Sequence, residues 1–244
     1  MNLIAEPTPS GHQCPMSVRL QVLADSPIFG PVDPQHLPQI DTRCSAHHAQ
    51  RGDLVYRAGD PADALYVVAH GALKLTRPSV DGFDVLVDVV GPGDFLGMLT
   101  ALGEATFAES ATALTESCVL RFSAKAFRAV LNDHPQVTLA ALDAVSNRLA
   151  AARQTVRELA ADTAEQRIGA ALMRLVESLG VAESGQVRIS VPVTQGELAS
   201  MAGTTPETVS RTLTRWRRDE LVATGRGTIT ITDLEGLRSQ ISAD

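Results

Sequence analysis

The sequence predicts an α+β chain: a glycine-punctuated N-terminal β-roll, a long helix and a C-terminal winged helix-turn-helix. Three observations carry this prediction. From Thr42 to Phe122, short apolar or alternating runs recur between glycines at Gly52, Gly59, Gly71, Gly82, Gly91 and Gly93, as in a small barrel or jelly roll. From Pro135 to Ala161, apolar residues fall at helical spacing. From Thr194 to Leu221, two short helical patterns flank Ala202-Gly203, and the second is rich in arginine. The expected organisation is an arm over 1–16, a β-roll over 17–133, a helix over 134–162 and the winged domain over 163–244.

Taken in order, the arm MNLIAEPTPSGHQCP has neither a basic start nor an apolar core, so no secretory leader is expected. Val18–Leu23 and Pro34–Ile40 read as short helices, with Pro27 and Pro31 between them. The strand-like runs are Leu54–Tyr56, Ala64–Val68, Ala72–Leu75, Val85–Val90 and Cys118–Phe122. A helix is expected from Pro135, which suits a first turn, to about Ala161. Along it, Leu142, Val145, Leu149, Ala152, Val156 and Leu159 alternate spacings of 3 and 4, a narrow seam that fits a parallel pairing of two copies of this helix. A helix packed only on its own domain would show a broader stripe.

Ala164–Leu179 reads as a helix ended by Gly180, and Val187–Val193 as a short strand pair before the helix-turn-helix. Thr194 caps the next helix, with Glu197 completing a capping box. Gly203 supplies the positive φ of a sharp turn. Thr205 caps the second helix and Pro206 occupies its first position. Val209 and Leu213 face the first helix; Glu207, Ser210 and Arg211 fall on another face, where such a motif presents side chains to base edges. Arg211, Arg215, Arg217 and Arg218 lie within two turns with no acid among them in sequence. Leu221–Ala223 and Thr228–Thr232 form a hairpin with Arg226 at its tip, placed to touch phosphate, and Asp233 caps a closing helix through Leu237 and Ile241. The expected DNA-contacting set is Thr194, Thr205, Glu207, Thr208, Ser210, Arg211, Arg215 and Arg226.

Composition excludes several classes. With 244 residues, 44% of them hydrophobic, the chain is a globular protein long enough for two domains. Its net charge of −7 argues against indiscriminate coating of nucleic acid. The charge is uneven: residues 163–244 hold 9 Arg and 10 acids, about −1, which leaves 12 basic and 18 acidic residues before them, −6. A near-neutral reading domain suits a site-specific binder, because only a local patch meets phosphate. No run reaches the ~18–20 apolar residues of a membrane span. Three cysteines do not make a disulfide framework, and a cytoplasmic protein is expected. No phosphate-cradling glycine loop, HExxH, serine elbow or carboxylate pair marks an enzyme.

The motifs RGDLVYRAGDPADALYVVAHGALKL (Arg51–Leu75), GPGDFLG (Gly91–Gly97) and TTPETVSRTLTRW (Thr204–Trp216) resemble the Crp/Fnr family of bacterial transcription regulators. The resemblance covers nearly the whole chain. It implies a β-roll like that of cyclic-nucleotide-binding domains, a homodimer joined along the long helix, and double-stranded DNA and RNA polymerase as partners. Glu207-x-x-Ser210-Arg211 is similar to the Fnr-like branch, whose half-site resembles TTGAT. The cyclic-AMP-responsive branch has glycine at the position of Ser210 and usually a basic residue at that of Pro206. Arginine can donate a fork to guanine, and glutamate can accept from cytosine.

The sensory region departs from the cyclic-nucleotide pattern. The resemblance places an effector pocket at Phe95, Leu96, Gly97, Met98, Glu109 and Ser110. Cyclic-AMP binders resemble Gly-Glu-Leu where this chain has Gly97-Met98-Leu99, and Arg-Ser/Thr-Ala where it has Glu109-Ser110-Ala111. A carboxylate in the place of the phosphate clamp repels that ligand, unless Arg77 or Arg121 substitutes from a neighbouring strand. Cyclic AMP is therefore disfavoured, with a cyclic-nucleotide-responsive regulator kept as the alternative. An iron–sulfur cluster, which needs about four thiolates, is disfavoured by Cys14, Cys44 and Cys118, scattered along the sequence, unless His12 or another ligand completes the set. Haem stays open through the Cys14-Pro15 pair and through His47, His48 and His70, and so does a thiol switch at Cys14. The expected signal is redox, nitric oxide or haem.

Overall fold

In a computed structural model of the chain, residues 14–79, 84–97 and 105–242 are described. The expectations for His12 and the rest of 1–13, for Gly82, and for Met98 and Leu99 lie outside these residues. The chain divides into two compact units, Met1–Arg77 with Val90–Ala150, and Pro78–Val89 with Ala151–Asp244.

The first unit begins with α1 (Met16–Asp25), a 3-10 turn (Pro34–His36) and α2 (Leu37–Asp41). The strands up to β8 are β1 (Ser45–Ala49), β2 (Leu54–Tyr56), β3 (Ala64–His70), β4 (Leu73–Pro78), β5 (Asp84–Val90), nearly all of which belongs to the second unit, β6 (Phe95–Leu96), β7 (Ser110–Ala113) and β8 (Ser117–Ser123). Helices α3 (Ala124–Asp133) and α4 (Pro135–Ala161) follow. One antiparallel sheet has the order β1-β8-β3-β6, and in a second β7 lies between β2 and β4. This is the predicted roll. Cys44 lies one residue before β1.

Strand β3 is buried on both sides, which is why its apolar run is unbroken. Ala64, Tyr66 and Val68 join Leu73, Leu75, Ala111 and Ala113 of the second sheet in one core. Leu65, Val67 and Ala69 join a second core, which the helices close with Ile28, Phe29, Phe127, Val137, Ala141 and Ala144. There Phe29 stacks on Phe122 at 5.2 Å between ring centroids and meets Phe127 edge-on at 6.4 Å. Each such fully buried ring stabilises the fold by about 1.5–3 kcal/mol. Helix α3 was not anticipated from the sequence. Its cap is Ser123, whose hydroxyl accepts from the Ala126 N–H at 3.1 Å, and Phe127 and Val130 are its buried positions.

The second unit holds α5 (Ala164–Leu179), β9 (Gly180–Glu183), β10 (Gln186–Ile189), α6 (Gln195–Met201), α7 (Pro206–Arg218), β11 (Val222–Gly225), β12 (Thr228–Ile231) and α8 (Leu234–Ser242). Its sheet runs β11-β12-β10-β9. The strand pair expected over Val187–Val193 is corrected here. Only Gln186–Ile189 is a strand, and its neighbours are Gly180–Glu183 and Thr228–Ile231. Gly180 ends α5 as expected, with an extended φ of −71° that leads straight into β9. In this unit Leu86 and Ser200 exchange two hydrogen bonds, at 3.0 and 3.3 Å.

His47 on β1 yields a pH prediction. Burial, and then the Arg121 charge, lower its pKa. The unfolded chain thus takes up this proton near pH 6.5, whereas the folded chain takes it up only further down. Its contribution to stability is present above about pH 6.5 and is lost as the pH falls below that value. Thermal unfolding of wild type and His47→Gln should show a shallower acid loss in the variant; parallel profiles would contradict the assignment.

Candidate functional site

Helix α6 begins as the sequence prescribes. The Thr194 hydroxyl accepts from the Glu197 N–H at 3.1 Å, and the Glu197 carboxylate accepts from the Thr194 N–H at 2.9 Å. The turn after it is held by a residue that the sequence reading missed. Arg167 of α5 donates to the carbonyls of Ala202 at 2.8 Å, Gly203 at 3.1 Å and Asp162 at 2.7 Å. The first two contacts satisfy carbonyls at the end of α6 that the helix itself cannot, and the third holds the carbonyl just after α4. Gly203 has φ 57°, and a Cβ there would lie 2.5 Å from Leu159 Cδ2. Glycine is thus required for its conformation and by the close approach of α4.

Helix α7 is capped by Thr205, whose hydroxyl accepts from the Thr208 N–H at 3.3 Å. Val209, Thr212, Leu213 and Trp216 form its buried face. Glu207, Arg211, Arg215 and Arg218 are exposed, and Thr208 and Ser210 half-exposed. The Glu207 carboxyl is held below the ordinary range, first by its own backbone N–H, then by the Thr205 hydroxyl, with Arg211 adding a smaller effect. It is therefore an anion at the positive end of α7. Arg211 reaches back to the Thr208 hydroxyl at 3.4 Å.

Although no acid separates the four arginines in sequence, the fold brings acids to them. Arg215 pairs with Glu165 of α5, and Arg218 with Asp219 at 3.3 Å. Glu165 also accepts from the Trp216 indole at 2.9 Å, so one carboxylate fixes both neighbours on α7. Arg226 is exposed between β11 and β12, next to Gly227 at φ 74°.

On α4 the seam residues do not share one environment. Leu142, Leu149, Ala152 and Val156 face solvent, Leu142 and Val156 at 66% and 67% exposure, whereas Val145 is half-buried. Leu159, though half-exposed, meets Gly203. The helix has a second apolar stripe, Val137, Ala141 and Ala144, inside the first unit's core.

The predicted effector residues divide between two surfaces. Phe95 belongs to the core under the helices and Leu96 to the core between the sheets. The Arg148 guanidinium of α4 stacks 3.9 Å from the Phe95 ring centroid and donates to the Phe95 carbonyl. Gly97 follows at φ 79°. Glu109 is taken up by Arg77, at 2.8 and 3.2 Å, and the Ser110 hydroxyl accepts from the Ala58 N–H at 3.0 Å. Arg121 instead pairs with Asp63 at 2.9 Å. Tyr56, Tyr66 and Phe107, not foreseen as a group, stack inside the roll with Tyr56–Phe107 centroids 4.0 Å apart.

Among the described residues, no three His, Cys, Asp or Glu side chains converge as a metal site would require. Burial, as the leading cause, pushes the Cys44 and Cys118 thiols up to about 12. The chain has three cysteines, short of the about four thiolates that an iron–sulfur cluster takes, so the residues present do not fit that group. Of the histidines considered for haem, His48 lies 3.0 Å from Glu116, His47 lies 2.8 Å from the Ser45 hydroxyl, and His70 is exposed at the end of β3. No described helix is long and apolar enough to cross a membrane.

A β-roll, a long helix and a winged helix-turn-helix with an arginine-bearing second helix define a DNA-binding transcription regulator. Residues 46–134 match the cyclic nucleotide-binding domain family, and residues 166–240 match the Crp-like helix-turn-helix domain. The chain is 31% identical to the probable transcriptional regulator flp of Lacticaseibacillus casei, over 80% of this chain and 87% of that one. It is 27% identical to the CRP-like cAMP-activated global transcriptional regulator of Mycobacterium tuberculosis, over 89% and 97% of the two chains. Among solved structures, a transcriptional regulator of the CRP/FNR family from Thermus thermophilus superposes with a TM-score of 0.65 at 26% identity, covering 82% of this chain and 99% of that one. The chain belongs to the Crp/Fnr family of transcription regulators, a family of regulators rather than enzymes.

The Glu165 bridge gives a direct test. Glu165→Ala leaves the buried indole N–H without its acceptor and should cost about 1–3 kcal/mol in thermal or urea unfolding. Trp216 is the only tryptophan, so its emission should also move to longer wavelength. Unchanged stability and emission would show that the bridge contributes nothing.

Proposed function

We propose that the protein is a cytoplasmic homodimer that binds a DNA palindrome with TTGAT-like half-sites and answers a redox, nitric-oxide or haem-type signal. The observation that carries the DNA reading is the outer face of α7, where anionic Glu207, Ser210 and Arg211 lie together near the helix's first turns. Arg211 donates to guanine and Glu207 accepts from cytosine. Thr194, Thr205, Thr208, Arg215 and Arg226 hold phosphates, which orients the helix without reading sequence. Arg215 does so from its pairing with Glu165, which fixes its direction.

The solvent-facing seam of α4 supports the dimer. Leu142, Leu149, Ala152 and Val156 repeat at coiled-coil spacing, and a second copy of the same helix buries them. Two-fold pairing then sets two recognition helices against two half-sites. RNA polymerase is the further partner that follows from the family. A signal at the roll acts by biasing how the two α4 helices pair.

The match of residues 46–134 to the cyclic nucleotide-binding domain favours a second reading, control by cyclic AMP or cyclic GMP. Against it stands the Arg77–Glu109 pair, which leaves a carboxylate where a cyclic phosphate would need a cation. Saturable thermal stabilisation by either nucleotide would establish the second reading; no stabilisation at millimolar nucleotide removes it.

Two substitutions test the main reading. Arg211→Ala should reduce discrimination between a TTGAT palindrome and scrambled DNA by about 10–100-fold, the ~1–3 kcal/mol of one bidentate base contact, with the dimer intact. Retained discrimination in fluorescence anisotropy would mean that another face reads the DNA. Leu142→Glu with Val156→Glu should convert the dimer to monomer by light scattering, and an unchanged mass would place the interface elsewhere.

A further inference from the structure

Ser200 of α6 makes a contact that neither its helix nor the turn after it requires. Its hydroxyl accepts from the Leu86 N–H at 3.0 Å and donates to the Leu86 carbonyl at 3.3 Å, across 114 positions of sequence. Within a helix, a serine hydroxyl commonly turns back to its own backbone; this one turns to β5 instead. Strand β5 lies at the edge of its sheet, and a strand residue directs its N–H and C=O to the same side. Leu86 therefore presents a donor and an acceptor together at that edge, with only 4% of the residue exposed. A hydroxyl is donor and acceptor at once, so one serine closes both groups as a neighbouring strand would.

The strand that Ser200 holds comes from another part of the sequence. Residues 46–134 match the cyclic nucleotide-binding domain, and β5 lies among them. Yet Pro78–Val89 fold into the second unit with the helix-turn-helix. There Leu86 and Val89 are buried, and Val85 and Val87 beside them are exposed. Helix α6 is thus held twice, at its end by Arg167 of α5 and on its flank by β5. With this contact made, Glu207 and Arg211 of α7 remain exposed, so the contact and DNA binding are compatible.

We propose that Ser200 is a positioning residue for DNA recognition: its hydroxyl clasps β5 at Leu86 and holds the helix-turn-helix in the orientation that meets two half-sites together. Ser200 acts through α6 and touches no base. The proposal rests on the palindrome reading above and names a residue that serves it. A second half-site adds affinity only when the second recognition helix already stands where that half-site falls. A motif freed from its support must instead be ordered at the moment of binding, at a cost in affinity. Loss of the clasp therefore weakens binding to a palindrome and spares binding to one half-site.

The test compares the full chain with Ser200→Ala. Alanine is the better helix former, so the substitution does not weaken α6. Hydrogen exchange at the Leu86 amide should be about tenfold faster in the variant, as its acceptor is gone. In fluorescence anisotropy, affinity for a TTGAT palindrome should fall about 5–10-fold, the scale of one or two lost hydrogen bonds, with affinity for a duplex carrying a single half-site unchanged. Equal exchange at Leu86 in the two proteins, an unchanged palindrome affinity in the variant, or an equal loss on both duplexes overturns the proposal. If the wild type binds the palindrome no better than the single half-site, the palindrome reading falls. The clasp is then decided by Trp216 of α7, the only tryptophan: its time-resolved anisotropy should show added segmental motion in Ser200→Ala, and identical decays overturn the clasp as well.

Discussion

The orientation of α4 about its own axis is the constraint on which the rest depends. Val137, Ala141 and Ala144 are drawn into the first unit's core, and Arg148 is fixed over Phe95. Once that stripe is committed inward, the rotation of this part of the helix is set, and Leu142 and Leu149 must lie elsewhere on its circumference. A single amphipathic stripe would leave the other side polar. This helix carries two, and in the second Leu142, Leu149 and Val156 are exposed among the described residues. The outward stripe is thus a consequence of how the inward one packs, so changes at Phe95 or Ala144 bear on a surface that they do not touch.

The winged unit rests on a different economy, with α5 as the platform. From neighbouring positions it sends Glu165 to α7 and Arg167 to the carbonyls that end α6. A helix-turn-helix is small and its turn leaves backbone groups unpaired. Two charged side chains from one helix remove that problem and also fix the angle at which α7 leaves the turn. Because Glu165 and Arg167 make those bonds from partly buried positions, they are stronger than surface ion pairs of the same length would be.

Much of the architecture was legible because it is written in local signals. Pro135 and Ala161 bound α4, Thr163 and Gly180 bracket α5, and Thr194, Gly203, Thr205 and Pro206 mark the helix-turn-helix. Each acts through its nearest few residues, so sequence order carries the information. The misses are the long-range features. β9 depends on pairing with β10, and β7 on lying between β2 and β4. Helix α3 is the exception, since Ser123, Phe127 and Val130 were a readable cap and stripe. In the candidate sites the same division holds. The face of α7 follows from helical periodicity. The grip of Arg167, the Glu165 bridge and the Tyr56–Tyr66–Phe107 stack join residues that nothing in the order of the chain brings together.

The cysteines show why spacing misleads where topology decides. Cys14, Cys44 and Cys118 have no metal-ligand spacing, and as a sequence pattern they suggest isolated thiols. Yet β1 and β3 both pair with β8, α1 lies over β3 with Val22 and Leu23 in the same core as Leu65 and Val67, and α2 ends directly before β1. Three crossings of one sheet face therefore bring three thiols to one side of the roll. What distinguishes them is their immediate surroundings: Asp41 takes the Cys44 S–H, and Cys118 is buried on β8. A carboxylate beside a thiol favours the protonated form, and a guanidinium beside it favours the thiolate. Burial first and then Asp41 therefore keep Cys44 protonated, against the smaller pull of Arg19.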